Sequence, residues 1–516
     1  MSSSFELKRL DTGINGLDDI LSGGLPAGQM YLLEGDPGTG KTTLAMQFIL
    51  EGTRRGEKCL YITLSEPRSE LELSMRSHGW DPADLPIAEF VPEEASLSAE
   101  QQYTVFHPSE VELAGTVEKL VSTLDDLQPD RLVVDSLSEL RLLASDSMRY
   151  RRQLLALKQY FAGKSTTVLL LDDLTGNGRD LQLHSIAHGV IRLEKISRSY
   201  GATRRQIEIV KLRGSGYREG FHDYVIQRGG VMIFPRLIAA EHSESFEGER
   251  IASGLTELDA MFGGGIARGS STLFTGPPGS GKSTVAMQFA FAAAARGQRS
   301  IFYTFDEVLR TAKDRARALG MDIDRELERG TLSMSQVDPA ELSPGEFIHQ
   351  IRSDVDEKGT RVVVIDSLNG LMNSMPGERD LVMHLHELLA YLNQKGVVTL
   401  MVLAQQGLVG TMHAQVDVSY LADTVVLLRY FESKGAIRQV ICVLKQRVGA
   451  HERTLRELVF GSNAIEVGEP LVNFQGILTG VPQMLGGTEA GVDENAPHPE
   501  GGATSMFGAF ASHDAL

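Results

Sequence analysis

Short, nearly unbroken apolar runs alternate with stretches of mixed character along most of the chain. MYLLEG (30–35), KCLYITL (58–64), RLVVDS (131–136) and TTVLLLDD (166–173) have the length and composition of strands. Between them, KTTLAMQFILEGTRR (41–55), PRSELELSMRSHG (67–79) and RRQLLALKQYFAG (151–163) repeat apolar residues three and four apart, which is helical spacing. Continuous apolar strands separated by amphipathic helices predict a parallel sheet covered on both faces. The alternation then changes. HGVIRLEKI (188–196), RRQIEIVKLRG (204–214) and HDYVIQRGG (222–230) follow with short polar turns between them. They predict a mixed or antiparallel extension at the sheet edge.

The whole pattern runs twice. GDPGTGKTTLAMQF (35–48) returns as GPPGSGKSTVAMQF (276–289), and the segment before it, 12–35, aligns without gaps on 253–276. RLVVDSLSEL (131–140) matches RVVVIDSLNGL (361–371), and VKLRG (210–214) matches LKQRV (444–448). A repeat of this size is a duplicated domain. The expected organisation is an α/β chain of two tandem domains, 1–240 and 251–483. Between them lies a polar linker, 241–250. The Gly-, Ala- and acid-rich stretch 484–516 has no periodicity and is expected to be disordered.

Composition narrows the function classes. A 516-residue chain with 42% hydrophobic and 23% charged residues suits a globular protein of several domains. Its formal net charge of −18 argues against a surface built to neutralise a nucleic-acid backbone. Two cysteines, Cys59 and Cys442, cannot make a disulfide framework and are expected as buried thiols. No apolar run reaches the length of a membrane span, and MSSSFELKRLD lacks a signal peptide's apolar core. A cytoplasmic location is the expectation.

The repeated stretch carries chemistry. G-x-x-x-x-G-K-[ST], set between a strand and a helix, is a phosphate-binding loop. Gly35, Gly38, Thr39, Gly40, Lys41, Thr42 and Thr43 form it in the first copy. Gly276, Gly279, Ser280, Gly281, Lys282, Ser283 and Thr284 form it in the second. The glycines let backbone N–H groups converge on phosphate at a helix N-terminus. Lys41 and Lys282 would reach the β- and γ-phosphates of ATP, and Thr42 and Ser283 would hold Mg²⁺. Asp135 and Asp366 each close an apolar strand, where a carboxylate can reach that Mg²⁺ through water. Glu66 in the first copy, and Asp306 or Glu307 in the second, follow the next strand and are candidates to deprotonate an attacking hydroxyl or water. Their alternative reading is as helix N-terminal carboxylates. Lys211 with Arg213, and Lys445 with Arg447, share a strand face two residues apart and recur at the same place. Such cations can act on a neighbouring subunit's γ-phosphate. The pairs His184/His188 and His384/His386 lack a third ligand in sequence reach and are not read as metal sites.

Taken together, these pieces resemble the KaiC family. The likeness covers about residues 5 to 483 and rests on the two phosphate loops, the Asp-Ser-Leu segments after the strands and the K-x-R strands. It implies tandem RecA-like domains, ATP hydrolysis, and a homo-hexameric double ring with ATP between neighbouring subunits. It implies roles for Lys41, Thr42, Glu66, Asp135, Lys211 and Arg213 in the first ring, and for Lys282, Ser283, Glu307, Asp366, Lys445 and Arg447 in the second. The family's clock member also phosphorylates itself in its second domain on a Ser-Thr pair. The matching segment, VSYLADTVVLL (418–428), keeps Ser419 as a candidate acceptor and has Tyr420 in place of threonine. The clock member's Glu-Glu pairs are Ser65-Glu66 and Asp306-Glu307 here. Regulatory protein partners are possible under this resemblance; a membrane and nucleic acid are not expected. Two other classes stay open: an ATP-binding signalling scaffold without turnover, and a RecA-like DNA-dependent ATPase using Arg149, Arg151 and Arg152.

Overall fold

The computed structural model describes residues 8–90, 108–144, 147–174, 181–197, 200–373, 378–407, 417–478 and 483–484. Each copy builds one nine-stranded sheet. In the first, the order from edge to edge is Ile87–Glu89, Cys59–Thr63, Arg131–Asp135, Thr167–Asp173, Met30–Gly35, Gly189–Ile196, Arg204–Leu212, Phe221–Gln227 and Gly230–Phe234. The first six run parallel and the last three are antiparallel. The second sheet repeats this order with Leu332–Gln336, Ser300–Thr304, Val362–Asp366, Val398–Ala404, Ser271–Gly276, Thr424–Ser433, Ala436–Gln446, Arg456–Phe460 and Ile465–Pro470. This is the expected mostly parallel sheet with an antiparallel extension, made twice.

The apolar patterning explains the layers. Central strands such as Arg131–Asp135 and Val362–Asp366 are buried along their whole length, because helices cover both faces. The helix Lys41–Arg54 turns Leu44, Ala45, Met46, Phe48 and Ile49 inward. Full burial of each larger side chain contributes about 1.5–3 kcal/mol. Among the described residues, each lobe therefore has two large apolar clusters, one on either side of its sheet, and the second lobe adds a small one of Phe431, Val440 and Ile477.

Some elements differ from the sequence reading. The strand Ile87–Glu89 and the helices Pro108–Leu127 and Leu137–Ala144 were not anticipated. The stretch expected to be disordered lies outside the described residues except at its start. There, Gln483–Met484 pair antiparallel with Phe474–Gln475.

The junction is built into the second lobe. Leu237 and Ala239 are buried in that lobe's core with Leu388 and Tyr391. Ala239 N donates to Glu387 Oε2 at 3.0 Å, Lys395 pairs with Glu244, and the Phe246 ring lies under the Arg268 guanidinium. Across the lobes, Gly345 N donates to Asp223 Oδ2 at 2.8 Å and Ala202 N to Ala340 O at 2.9 Å. Cys59 and Cys442 are free thiols, and no described helix is long and apolar enough to cross a membrane.

Candidate functional site

In both lobes the central strand runs into the loop, and the loop runs into a helix that begins at the lysine. Gly40 and Gly281 sit immediately before these helices with φ of 94° and 96°, a backbone shape that glycine adopts without strain. Gly35 and Gly276 pass close to the neighbouring strand. A Cβ there would lie 2.5 Å from Leu193 O and 2.1 Å from Leu428 O. The sequence demands glycine at these points for reasons of backbone space.

The first cradle gathers Lys41, Thr42, Asp135 and Glu66. Thr42 Oγ1 donates to Asp135 Oδ2 at 3.0 Å, and Tyr61 OH donates to the same oxygen at 2.5 Å. Asp135 is buried, which raises its pKa; the Tyr61 and Thr42 hydrogen bonds oppose that. Glu66 follows the strand Cys59–Thr63, tied there by Thr63 Oγ1, which donates to Glu66 O at 2.7 Å. Its carboxyl is pushed up by burial first, and then by the charges of Asp135, Glu70 and Asp173. Lys41 Nζ forms an ion pair with Asp173 Oδ1 at 2.6 Å.

The second cradle gathers Lys282, Ser283, Asp366, Asp306 and Glu307. Asp366 accepts from Ser283, and burial lifts its pKa to about 6 against that bond and the Arg315 charge. Burial brings the Lys282 ammonium down to about 8. Ser367 Oγ donates to Asp306 Oδ2 at 2.5 Å, and Arg315 Nη1 pairs with Glu307 Oε1 at 2.6 Å. A cis peptide follows each strand-end aspartate, at Asp135–Ser136 and Asp366–Ser367.

The donor sets suit a nucleotide with a divalent cation. Each lobe pairs a hydroxyl with a carboxylate, Thr42 with Asp135 and Ser283 with Asp366, which is oxygen chemistry for Mg²⁺. In the second loop, Ser280 Oγ is buried and has no hydrogen-bond partner among the described residues. Thr39, its counterpart, donates instead to Asp36 O at 2.8 Å.

The K-x-R residues lie elsewhere. Val190 pairs with both Leu32 and Lys211, so Lys211 is level with the early part of the central strand, while the cradle follows that strand's end at Gly35. Val425 relates Leu273 to Lys445 in the same way. Lys211 donates to His184 O, and Arg213 to Ser185 O at 3.0 Å. Lys445 donates to Ala422 O at 2.8 Å and to Ser419 O at 3.2 Å; Arg447 donates to Tyr420 O at 2.8 Å. Ser419 and Lys445 line one cavity of 600 Å³ together with Asp417 and Thr275. Ser419 N donates to Asp417 Oδ1 at 2.9 Å, and its hydroxyl also bonds that carboxylate.

Three neighbours of the cradles were missed in the sequence. Asp173 was visible as the end of an apolar run; Tyr61 and Arg315 gave no signal beyond their type. His184, set aside as a metal ligand, lies 2.7 Å from Glu34 Oε2, and Arg192 Nε reaches Glu34 Oε1 at 2.8 Å.

The comparisons with known proteins run along most of the chain. The family described as ATPase, KaiC, matches at residues 10–238 and again at 251–472. The circadian clock protein KaiC3 of Synechocystis sp. is 28% identical over 94% of this chain and 96% of its own length. The circadian clock oscillator protein KaiC of Synechococcus elongatus is 27% identical over 93% of this chain and 92% of its own. The circadian clock protein KaiC2 of Synechocystis sp. is 27% identical over 94% and 85%. Two matched sheets, each with its phosphate loop and strand-end aspartate, account for a double match of this kind, and the chain belongs to the KaiC family of nucleotide-binding ATPases.

Proposed function

We propose that the chain is the subunit of a homo-hexameric double ring that hydrolyses ATP, and that its second lobe phosphorylates Ser419 of a neighbouring subunit. One observation carries this reading: in each lobe the cradle and the K-x-R pair lie at opposite ends of the parallel strands. Lys211 and Lys445 are level with Leu32 and Leu273, three residues or about 10 Å short of Gly35 and Gly276, and their ammonium groups are held by carbonyls of their own lobe, not by its cradle. Packing the K-x-R end of one subunit against the cradle of the next completes every site. Nucleotide held at such a junction also stabilises the ring by linkage.

Bound ATP supplies the γ-phosphoryl group. In the first lobe, Lys41 and the loop N–H groups hold the phosphates, and Thr42 and Asp135 hold Mg²⁺. Glu66 orients the attacking water and takes its proton as the new P–O bond forms and the bond to ADP breaks. In the second lobe, Lys282, Ser283 and Asp366 play the holding roles. Ser419 Oγ of the adjacent subunit is the attacking group, and its proton passes to Glu307 or Asp306. Lys445 lies beside Ser419 and arrives at the neighbour's cradle with it. The clock names of the relatives suggest an output read from such nucleotide and phosphate states.

The test mixes two variants in Mg·ATP. Lys282→Ala subunits have a crippled second cradle and an intact acceptor; Ser419→Ala subunits have the reverse. Phosphate on Ser419 of the Lys282→Ala chains, appearing only in the mixture, supports transfer between subunits. No phosphate on any chain, with ATP still consumed, removes the kinase half of the reading. A monomer at every nucleotide concentration removes the ring.

A further inference from the structure

The two cradles use the same motif, yet their lysines are held differently. An ammonium group carries three N–H donors. Lys41 has all three engaged, by Gly35 O at 2.7 Å, Asp36 O at 3.1 Å and Asp173 Oδ1 at 2.6 Å. Among the described residues, Lys282 Nζ donates to one group, Pro277 O, at 2.6 Å. Of the two extra contacts, one is a second backbone carbonyl, and the charged one traces to a single position. Asp173 ends the strand beside the cradle strand, in register with Gly35, and the residue in register with Gly276 is Ala404. The other Asp173 oxygen accepts from Ser138 Oγ at 3.2 Å, which aims the carboxylate at Lys41. The pair is largely shielded, with side-chain exposures of 8% for Lys41 and 29% for Asp173, so water screens it weakly.

We propose that Asp173 sets the nucleotide affinity of the first cradle by competing with phosphate for Lys41. This rests on the reading that the first cradle takes nucleotide. Phosphate can reach the Lys41 ammonium only by displacing or sharing a carboxylate that is already there. The first cradle therefore binds nucleotide more weakly than the second. It also discriminates more strongly against nucleotide without metal. Mg²⁺ cancels part of the phosphate charge, and with it part of the repulsion from Asp173, Asp135 and Glu66. In the second cradle Ala404 exerts no repulsion, and Arg315 offsets one carboxylate. One chain thus carries a site that fills early and a site that fills late, with Asp173 the side chain that competes directly for the lysine.

The test is photolabelling of the full-length chain with an azido-ATP over a concentration range, in Mg²⁺ and in EDTA, with the labelled peptides mapped to each lobe. Asp173→Ala should lower the half-saturating concentration at the first lobe roughly tenfold, the scale of one charge-assisted hydrogen bond. The gain should be larger in EDTA than in Mg²⁺, and second-lobe labelling should not move. Asp173→Asn, which keeps the shape, should act in the same direction. Ala404→Asp should weaken labelling of the second lobe. First-lobe labelling that is unchanged or weaker in both Asp173 variants, while the second lobe labels normally, overturns the proposal. No first-lobe label in any chain overturns the nucleotide reading on which it rests. Should Asp173→Ala fail to fold, both lobes lose label together, and Asp173→Asn and Ala404→Asp decide the matter.

Discussion

Arg315 closes on Glu307 at 2.6 Å, and the residue that matches Arg315 in the first lobe is Ser74. The two candidate bases therefore differ in company. Glu307 is paired with a guanidinium from the helix that follows it, Leu309–Ala318, whereas Glu66 sits half-buried among carboxylates. Arg315→Ala should release Glu307 and raise ATP turnover by the second lobe several-fold. Phosphate release in a Glu66→Gln background measures it. A fall in turnover would mean that Arg315 positions Glu307 for the reaction.

Glu66→Gln should lower first-lobe hydrolysis by about 10²–10⁴-fold while nucleotide binding persists, the usual scale for loss of a general base. The pH profile carries its own signature. Burial and nearby carboxylates raise the Glu66 pKa. A base works only when deprotonated, so the acid limb of first-lobe activity should lie at higher pH than an ordinary glutamate would give. Rates measured in a Glu307→Gln background isolate that limb.

The first lobe contains a buried charge cluster that the second lacks. Glu34 accepts from Arg192, and Arg192 reaches Glu208 at 3.3 Å. Thr275, Leu427 and Cys442 hold the matching positions. Arg192→Leu alone should destabilise the first lobe by roughly 1–3 kcal/mol, because Glu34 stays buried with His184 as its remaining side-chain partner. Adding Glu34→Thr and Glu208→Cys should restore most of that loss. Thermal unfolding of the single and triple variants compares them.

His222 predicts a stability that falls in acid. Its Nδ1 accepts from Arg236 N at 2.8 Å, and its Nε2 donates to Arg218 O at 3.1 Å. Burial holds its folded pKa down at about 4, against about 6.5 for an ordinary histidine. Between those values the unfolded chain binds a proton that the folded chain does not. Its contribution is therefore complete above about pH 6.5 and is lost as pH falls toward 4, by up to about 3 kcal/mol. Urea midpoints at pH 7.5 and 5.5 should differ less in His222→Asn than in the unaltered chain.

The sequence carried the cradles because each is local. Gly35 to Thr43 form one continuous strand end, loop and helix start, and the duplication repeats that segment intact. Strands such as Thr167–Asp173 were legible for a similar reason, since burial on both faces leaves an unbroken apolar run. Asp173 was not legible as a partner of Lys41. Their meeting depends on the register of two parallel strands that are distant in sequence, and no local pattern encodes that register. Arg315 escaped for a related reason, because a helix must bend its side chain back over the strand end. The helix Pro108–Leu127 does carry start signals, Pro108 at its first position and Ser109 three residues before Glu112, which the sequence reading passed over.

The end of the first lobe is anchored in its neighbour. During synthesis the strands of that lobe are complete once Phe234 has emerged. Leu237 and Ala239 then have no core to enter until Leu388 and Tyr391 follow, some 150 residues later. Their apolar surface waits in the open through most of the second lobe's translation. A chain truncated near residue 240 would keep that exposure permanently, and aggregation of such a fragment would reflect a missing receptor for two side chains, with the first sheet itself intact.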